Sequence, residues 1–336
     1  MRLPKTRLLK ILLFVALLYP ALLLVLNLIN LLLPRQSGVL GLTEVFAPFL
    51  FLPLLLLIPL LFIRGYVFLR IALVCCALVW VVRFMPPLNF FPPQQTAAVE
   101  LDVMTWNVYF LNSEVETIIE YLQQRPASVV VLQETDGTWL ANNDALKKIY
   151  PYQLRVLQGA PAGLVLLSSY PIISYSPWDP QKRQWDPNAV LWAELELAPG
   201  KTAIVATAHP NAPDTADCAR PLCFDPTLRN TQINRIFEQV DELLTRKKPL
   251  ILAGDFNTTQ WVSNYQNLTA NLQDTYLKAG FGWGATWRPL ELINKVAVLR
   301  IDYILASADI VPLKVNVDCT PRGSDHCSMI GQYGIS

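Results

Sequence analysis

Three long apolar runs open the chain. Ile11 to Leu33 carries no charge and is long enough to cross a bilayer as one helix. Val45 to Ile63 is also uncharged and long enough. Ile71 to Val82 is short alone, but reaches spanning length if it starts near Tyr66 and Arg70 snorkels toward the headgroups. The pattern predicts transmembrane helices at about 11–33, 45–63 and 66–83. The first run is too apolar for too long to be a cleaved signal peptide, and no small-x-small site follows it, so it reads as an anchor. "MPPLNFFPPQQTAA" is Pro-rich and uncharged, which favours extended backbone and predicts a linker over 85–99.

From Glu100 the texture changes to short β-type runs alternating with amphipathic segments, long enough for one sizeable core. "ELDVMTWNV", "ASVVVLQE", "AGLVLLSS", "AVLWAELEL", "TAIVATAH" and "PLILAGDFN" read as strands, and "RIDYILAS", "VPLKVNVD" and "CSMIGQY" close the chain as strands. "APGK" marks a hairpin. Helices are predicted over 113–124, with Ser113 and Glu116 as a capping box, over 138–149, and over 227–246, capped by Thr227. Hairpins mixed with crossovers predict an α/β fold in which two packed mixed sheets are flanked by helices, a four-layer sandwich over 100–336 preceded by a helical membrane region over 1–84.

Charge divides the chain at the same boundary. Residues 1–86 hold 8 basic and 1 acidic residue, a net of +7, and residues 87–336 hold 19 and 25, a net of −6. An acidic globular part offers no stripe for tracking a polyanion. Arg2, Lys5, Arg7 and Lys10 precede the first span and place the N-terminus in the cytosol. Three spans then put the globular part outside the cytoplasm, as an integral protein of the plasma or inner membrane, whereas two would put it inside. Cys75 and Cys76 fall in the third span. Cys218 with Cys223 and Cys319 with Cys327 form two close pairs, which suit disulfides in an oxidising compartment. Four free thiols are the alternative.

Chemistry concentrates where apolar strands end. "VMTWN" ends at Asn107, "VVVLQE" at Glu134, "AIVATAH" at His209 and "LILAGDFN" at Asp255 and Asn257. Asp302 stands inside the apolar run "RIDYIL", where a buried carboxylate needs a partner. "SDH", Ser324 to His326, opens the last strand. The chain spends only two histidines, and both fall at such ends.

"GDFN", "RIDYIL" and "SDH" in that order, strengthened by "TWNV" and "LQE", resemble the endonuclease/exonuclease/phosphatase superfamily. Its members include DNase-I-like nucleases, inositol polyphosphate phosphatases and neutral sphingomyelinases. The resemblance covers 100 to about 334 and implies a metal-dependent phosphoesterase. By that likeness Glu134, Asn107 and Asp325 bind Mg²⁺ or Mn²⁺, and Asp255 polarises the attacking water. Asn257 fixes that water or a phosphate oxygen, His209 donates to the phosphoryl group or the leaving group, and His326 contacts the phosphoryl group, oriented by Asp302. The likeness also puts Arg229 and Gln232 at the site periphery, against an ordinary solvated helix face, and Thr286-Trp287 resembles the family's T-aromatic stretch. The Gly- and Trp-rich loop "GFGWGATWRP" itself reads as a wall on which an apolar or ring-bearing part of the substrate stacks, or as Trp packing over a strand end. Oxygen donors suit Mg²⁺ better than a thiolate or multi-histidine zinc site would. The implied substrate is a phosphodiester, in nucleic acid or a lipid headgroup, and the bilayer is the other partner; no protein partner is inferable. An inactive binding or scaffold module on the same fold is the alternative, and retention of every expected polar residue disfavours it. A transporter function for the membrane part finds no intramembrane acid to support it.

Overall fold

The computed structural model describes residues 7–33, 37–62, 67–90, 99–124, 126–135, 138–141, 143–156, 163–176, 190–213, 223–289 and 296–335. They form two compact units. One comprises Met1–Met85 with Asp214–Pro226 and Trp261–Ser263, and the other Pro86–Pro213, Thr227–Gln260 and Asn264–Ser336.

The first unit holds α1 (Arg7–Leu32), α2 (Gly38–Val45), a 3₁₀ helix (Ala47–Phe62) and α3 (Val67–Phe84). Phe14–Leu32 and Val67–Phe84 are each long and apolar enough to cross a membrane. The middle segment is not the single straight span expected over 45–63. α2 and the 3₁₀ helix meet at a 73° bend. Pro53 and Pro59 lie inside the 3₁₀ helix, and prolines that lack an N–H cannot continue an α-helical ladder. Asn27, Asn30 and Glu44 are buried in this unit. Arg83 satisfies Asn27 through its carbonyl (3.3 Å) and its side-chain oxygen (3.2 Å).

The second unit contains β1 (Val99–Asn107), α4 (Val115–Gln123), β2 (Val129–Gln133), α5 (Thr138–Ala141), α6 (Asp144–Ile149), β3 (Tyr152–Val156), β4 (Leu164–Ser168), β5 (Ile172–Tyr175), β6 (Leu191–Ala198) and β7 (Lys201–Thr207). It continues with α7 (Thr227–Leu244), β8 (Leu250–Asp255), α8 (Asn264–Leu268), β9 (Gln273–Asp274), α9 (Thr275–Ala279), β10 (Asp302–Ala306), β11 (Ile310–Asp318) and β12 (Ser328–Ile335). They build two six-stranded sheets, ordered β11-β12-β1-β2-β4-β3 and β5-β6-β7-β8-β10-β9. Each is mixed: β1 runs parallel to β2 and β7 to β8, while the other pairs are antiparallel.

The sheets pack face to face over a core that includes Val103, Val131, Leu166, Val205, Ile251, Ile304 and Met329. Ile233, Ile236 and Val240 of α7 cover the outer face of the second sheet, and Ile118, Leu122 and Leu146 cover that of the first. The result is the expected four-layer α/β sandwich. Strands β2, β4 and β8 are buried at every position, which is why they read as unbroken apolar runs rather than alternating ones. Gln133 bridges the sheets, donating to Thr105 and Thr207 Oγ1 (3.1 Å each).

Local expectations fail at three places. α4 starts one residue late for a Ser113 capping box: Glu114 holds the N-cap position and its side chain makes no capping bond. The helix expected over 138–149 is two short ones, because Asn143 caps a fresh start by accepting from Leu146 N (3.0 Å). β3, β5 and β9 carry no alternation strong enough to predict them. Of the expected linker, 91–98 lies outside the described residues.

Candidate active site

The strand register brings the polar ends to one rim. The carboxyl ends of the parallel pairs β1/β2 and β7/β8 lie there with the starts of the antiparallel β10 and β12, and Asp302 is directly cross-strand from Asp255. Asn107 is the last residue of β1 and pairs with Gln133, so Glu134 follows immediately beyond β2. Glu134 (φ 56°) and Asn257 (φ 51°) both adopt the left-handed backbone conformation. That conformation is costly for a glutamate and more tolerable for an asparagine.

Asn107 Nδ2 donates to Glu134 Oε1 (2.8 Å) and Asp255 Oδ2 (3.0 Å). His209 Nε2 lies 3.6 Å from Glu134 Oε1 and 3.5 Å from Asp255 Oδ2. Asn257 Nδ2 is 3.3 Å from His209 Nε2 and donates to the Pro210 carbonyl (3.0 Å), while Asn257 N donates to Asp255 Oδ1 (2.8 Å). On the other side of Asp255, His326 Nε2 is 3.7 Å from Oδ2, and its Nδ1 is 2.9 Å from Asp302 Oδ2. A continuous line of contacts therefore runs Glu134–His209–Asp255–His326–Asp302. All but the half-buried Glu134 are buried.

Electrostatics follow from that line. Burial alone would lower the His326 imidazole, but Asp302 and Asp255 outweigh it and push it up to about 10. Burial likewise opposes a charged His209, and Asp255 and Glu134 reverse the effect and raise it. Burial works against ionised Asp255, yet His326 and His209 hold its carboxyl below the usual range. Burial also raises Asp302. The His326 ring is held between two carboxylates, Asp302 on its Nδ1 side and Asp255 on its Nε2 side.

The remaining expected residues are placed less directly. Asp325 stands outside the line, and its Oδ2 accepts from Trp287 Nε1 (3.2 Å). Arg229 and Gln232 are buried rather than on a solvated helix face. Arg229 donates to the Asn257 carbonyl (2.7 Å), so it acts on the site through that backbone, and Gln232 accepts from Asn211 N (2.7 Å). Sequence reasoning gave Ser324 of "SDH" no role and missed Arg288. Ser324 Oγ donates to the Asn107 carbonyl (2.7 Å) and accepts from His326 N (2.9 Å). Buried Arg288 donates to the carbonyls of Cys319 (3.2 Å), Ser324 and His326 (3.1 Å). Cys319 and Cys327 are joined as a disulfide across the same loop. Cys218 of the other expected pair lies outside the described residues.

The donor set fits a hard divalent cation. Glu134, His209 and Asp255 offer ligand atoms within 4.8 Å of one another, and so do Asp255, Asp302 and His326. Among the described residues, Asp302 Oδ1 and His209 Nδ1 are buried and find no hydrogen-bond partner. Carboxylates crowded at one rim repel each other unless positive charge joins them, and oxygen donors favour ions of the Mg²⁺ class.

A two-sheet sandwich with paired carboxylates and imidazoles at one rim defines a class of phosphate-ester hydrolases. The family model described as Endonuclease/Exonuclease/phosphatase family matches residues 104–326, and the chain belongs to that family, whose members act on phosphate ester bonds. Solved structures share the fold. A 3′ phosphatase from Neisseria, bound to a product DNA hairpin, is 20% identical, with 69% of this chain and 98% of that one covered at a TM-score of 0.56. Truncated TDP2 from Caenorhabditis elegans is 16% identical, with 71% and 100% covered at 0.55. A mannosyl-6-phosphatase from Bacteroides thetaiotaomicron is 17% identical, with 69% and 99% covered at 0.52. No curated protein matches the chain.

Proposed function

We propose that this chain is a membrane-anchored phosphodiesterase that uses a divalent cation and an Asp255-activated water, with its catalytic domain over 100–336 outside the cytoplasm. The observation that carries the reading is the unbroken line from Glu134 through His209, Asp255 and His326 to Asp302. Glu134 and Asn107 would hold Mg²⁺ or Mn²⁺, with Asp325 completing the set from the Trp287 side. A bound ion supplies positive charge against an anionic phosphate that otherwise repels the nucleophile.

The side chains divide the rest. Asp255, kept ionised by two imidazoles, accepts the proton of the attacking water. Asn257, its backbone pinned by Arg229, orients that water or a phosphate oxygen. His209 donates to the phosphoryl group or the departing oxygen. His326, held charged by Asp302, stabilises charge that builds on the phosphoryl oxygens. Trp287 offers a ring beside the site.

The shared chemistry of the substrate is a phosphodiester, in nucleic acid or a lipid headgroup. The net −6 of residues 87–336 disfavours a polyanion. Two or three apolar spans supporting an anchor in the plasma or inner membrane favour a lipid. The Cys319–Cys327 disulfide supports an oxidising location.

Full-length protein in detergent is expected to cleave bis-p-nitrophenyl phosphate, to stop on chelation with EDTA and to recover with Mg²⁺ or Mn²⁺. Asp255→Asn and His326→Ala are expected to abolish turnover while the fold persists by circular dichroism. Near-normal turnover by either variant would overturn these roles. Metal-independent silence of the wild-type chain towards phosphodiesters would favour the inactive-module alternative.

A further inference from the structure

The second unit carries an apolar face that the proposed chemistry does not use. It consists of Leu88, Phe90, Leu277 and Phe281, which are 42%, 67%, 40% and 56% exposed. Single exposed apolar residues are ordinary, but these belong to one assembly. Leu88 forms a β-bridge with Phe281, and the rings of Phe90 and Phe281 pack edge-on with centroids 5.1 Å apart. Asn89 Nδ2 donates to the carbonyls of Leu277 (3.3 Å) and Gly280 (2.9 Å), and Gly282 N donates to the Pro87 carbonyl (2.9 Å).

The face is held outward by buried structure. Tyr276, 3% exposed, donates its hydroxyl to the Phe281 carbonyl (2.6 Å). A Cβ at Gly280 or Gly284 would fall within 2.6 Å of the Tyr276 ring, so both positions must be glycine for the loop to wrap that ring. Gly282 (φ 83°) and Gly284 (φ 64°) turn the backbone through the left-handed region. The fold thus fixes the Phe281 ring in the open instead of folding it into the core.

Chain length points to the occupant. α3 ends at Phe84, and only Met85, Pro86 and Pro87 separate it from Leu88. Four residue steps span at most ~14 Å when fully extended. The headgroup zone adds about 5–8 Å on each side of the hydrocarbon core, and aromatic rings concentrate there. Exposed Lys278, next to Leu277, adds a cation suited to phosphate headgroups. Resting on the membrane-anchored reading, we propose that Leu88, Phe90, Leu277 and Phe281 form an interfacial foot that seats the catalytic domain on the lipid bilayer surface.

The test places p-benzoylphenylalanine singly at positions 78, 88, 90, 173, 152 and 281 of the full chain, reconstituted in phosphatidylcholine liposomes. Adducts are read by mass spectrometry after illumination. Leu78, an exposed residue of α3, reports the span itself. Ile173 and Tyr152, exposed on edge strands of the two sheets, report background. Lipid adducts at 78, 88, 90 and 281 and several-fold fewer at 152 and 173 are expected. Adducts at 78 with only background at 90 and 281 overturn the foot and leave the anchor standing. Absence of adducts at 78 overturns the anchor instead. Cross-links from 90 and 281 to a second copy of the chain also overturn the foot, by assigning the face to a dimer.

Discussion

Asp302 carries no proposed contact with substrate, yet it decides the charge of a residue that does. It is fully buried, its Oδ2 faces His326 Nδ1 at 2.9 Å, and burial would otherwise strip the proton from that imidazole. Asp302→Asn keeps the shape and removes the charge. It is expected to lower kcat about 10²–10³-fold, the scale of losing one electrostatic stabiliser, with KM little changed and thermal unfolding close to wild type. Kinetics on bis-p-nitrophenyl phosphate check this, and an unchanged kcat would separate His326 from the chemistry. The proposed metal residues should divide in a similar way. Glu134 meets Asn107 and the His209–Asp255 pair, whereas Asp325 is held aside by Trp287. Glu134→Gln is expected to raise the Mg²⁺ concentration for half-maximal rate by more than ~10-fold, and Asp325→Asn by less. Metal titrations followed by rate, and independently by Mn²⁺ electron paramagnetic resonance, give the comparison. An equal or reversed order would move the metal toward Asp325.

At the scale of elements, the loop between β11 and β12 carries Asp325 and His326, and two devices hold it. The Cys319–Cys327 disulfide closes it covalently, and Arg288 gathers three of its carbonyls. Reduction of the full chain is expected to cost about 2–4 kcal/mol of stability. It should also lower kcat, because Ser324 would lose its hold on His326 N. Arg288→Lys, which cannot present the same planar fork, should make kcat more sensitive to reductant than wild type. Denaturant melts and rates, each with and without reductant, check both. The sandwich and the polar strand ends were legible because β2, β4 and β8 are apolar throughout and stop at Gln133-Glu134, Ser168 and Asp255. The supports were not legible. Arg288 looks like any loop arginine until the chain returns 31 to 38 residues later to offer its carbonyls, and Gln133 sits inside what reads as a strand terminus. The misjudged capping box has the opposite cause: a local pattern at Ser113 was present, but Asn112 accepts from Glu114 N (2.7 Å) and turns the chain before a helix can start there.

For the whole molecule, on the membrane-anchored reading, the side of the membrane that the globular domain faces depends on the bent middle segment as well as on the third span. α3 is an 18-residue helix of high hydropathy, whereas α2 and the 3₁₀ helix meet at 73°. If that bent pair re-enters and leaves on one side, α1 and α3 are the only candidate crossings among the described residues and the globular domain faces the cytosol with the N-terminus. If it crosses, the domain faces outward. Length favours crossing. Sixteen residues as an α-helix would rise only ~24 Å, but the 3₁₀ rise of ~2.0 Å per residue gives ~32 Å, enough for a ~30 Å hydrocarbon core. The disulfide points the same way, since thiols eight residues apart facing the cytosol would be kept reduced. A cysteine introduced at Ile173, exposed on β5, is therefore expected to react with a membrane-impermeant maleimide in intact cells whose outer wall is permeabilised. Cys75 and Cys76 in α3 serve as the protected background. Labelling only after the membrane is lysed would make the middle segment re-entrant and put the proposed phosphodiesterase site, with its substrate, on the cytosolic face.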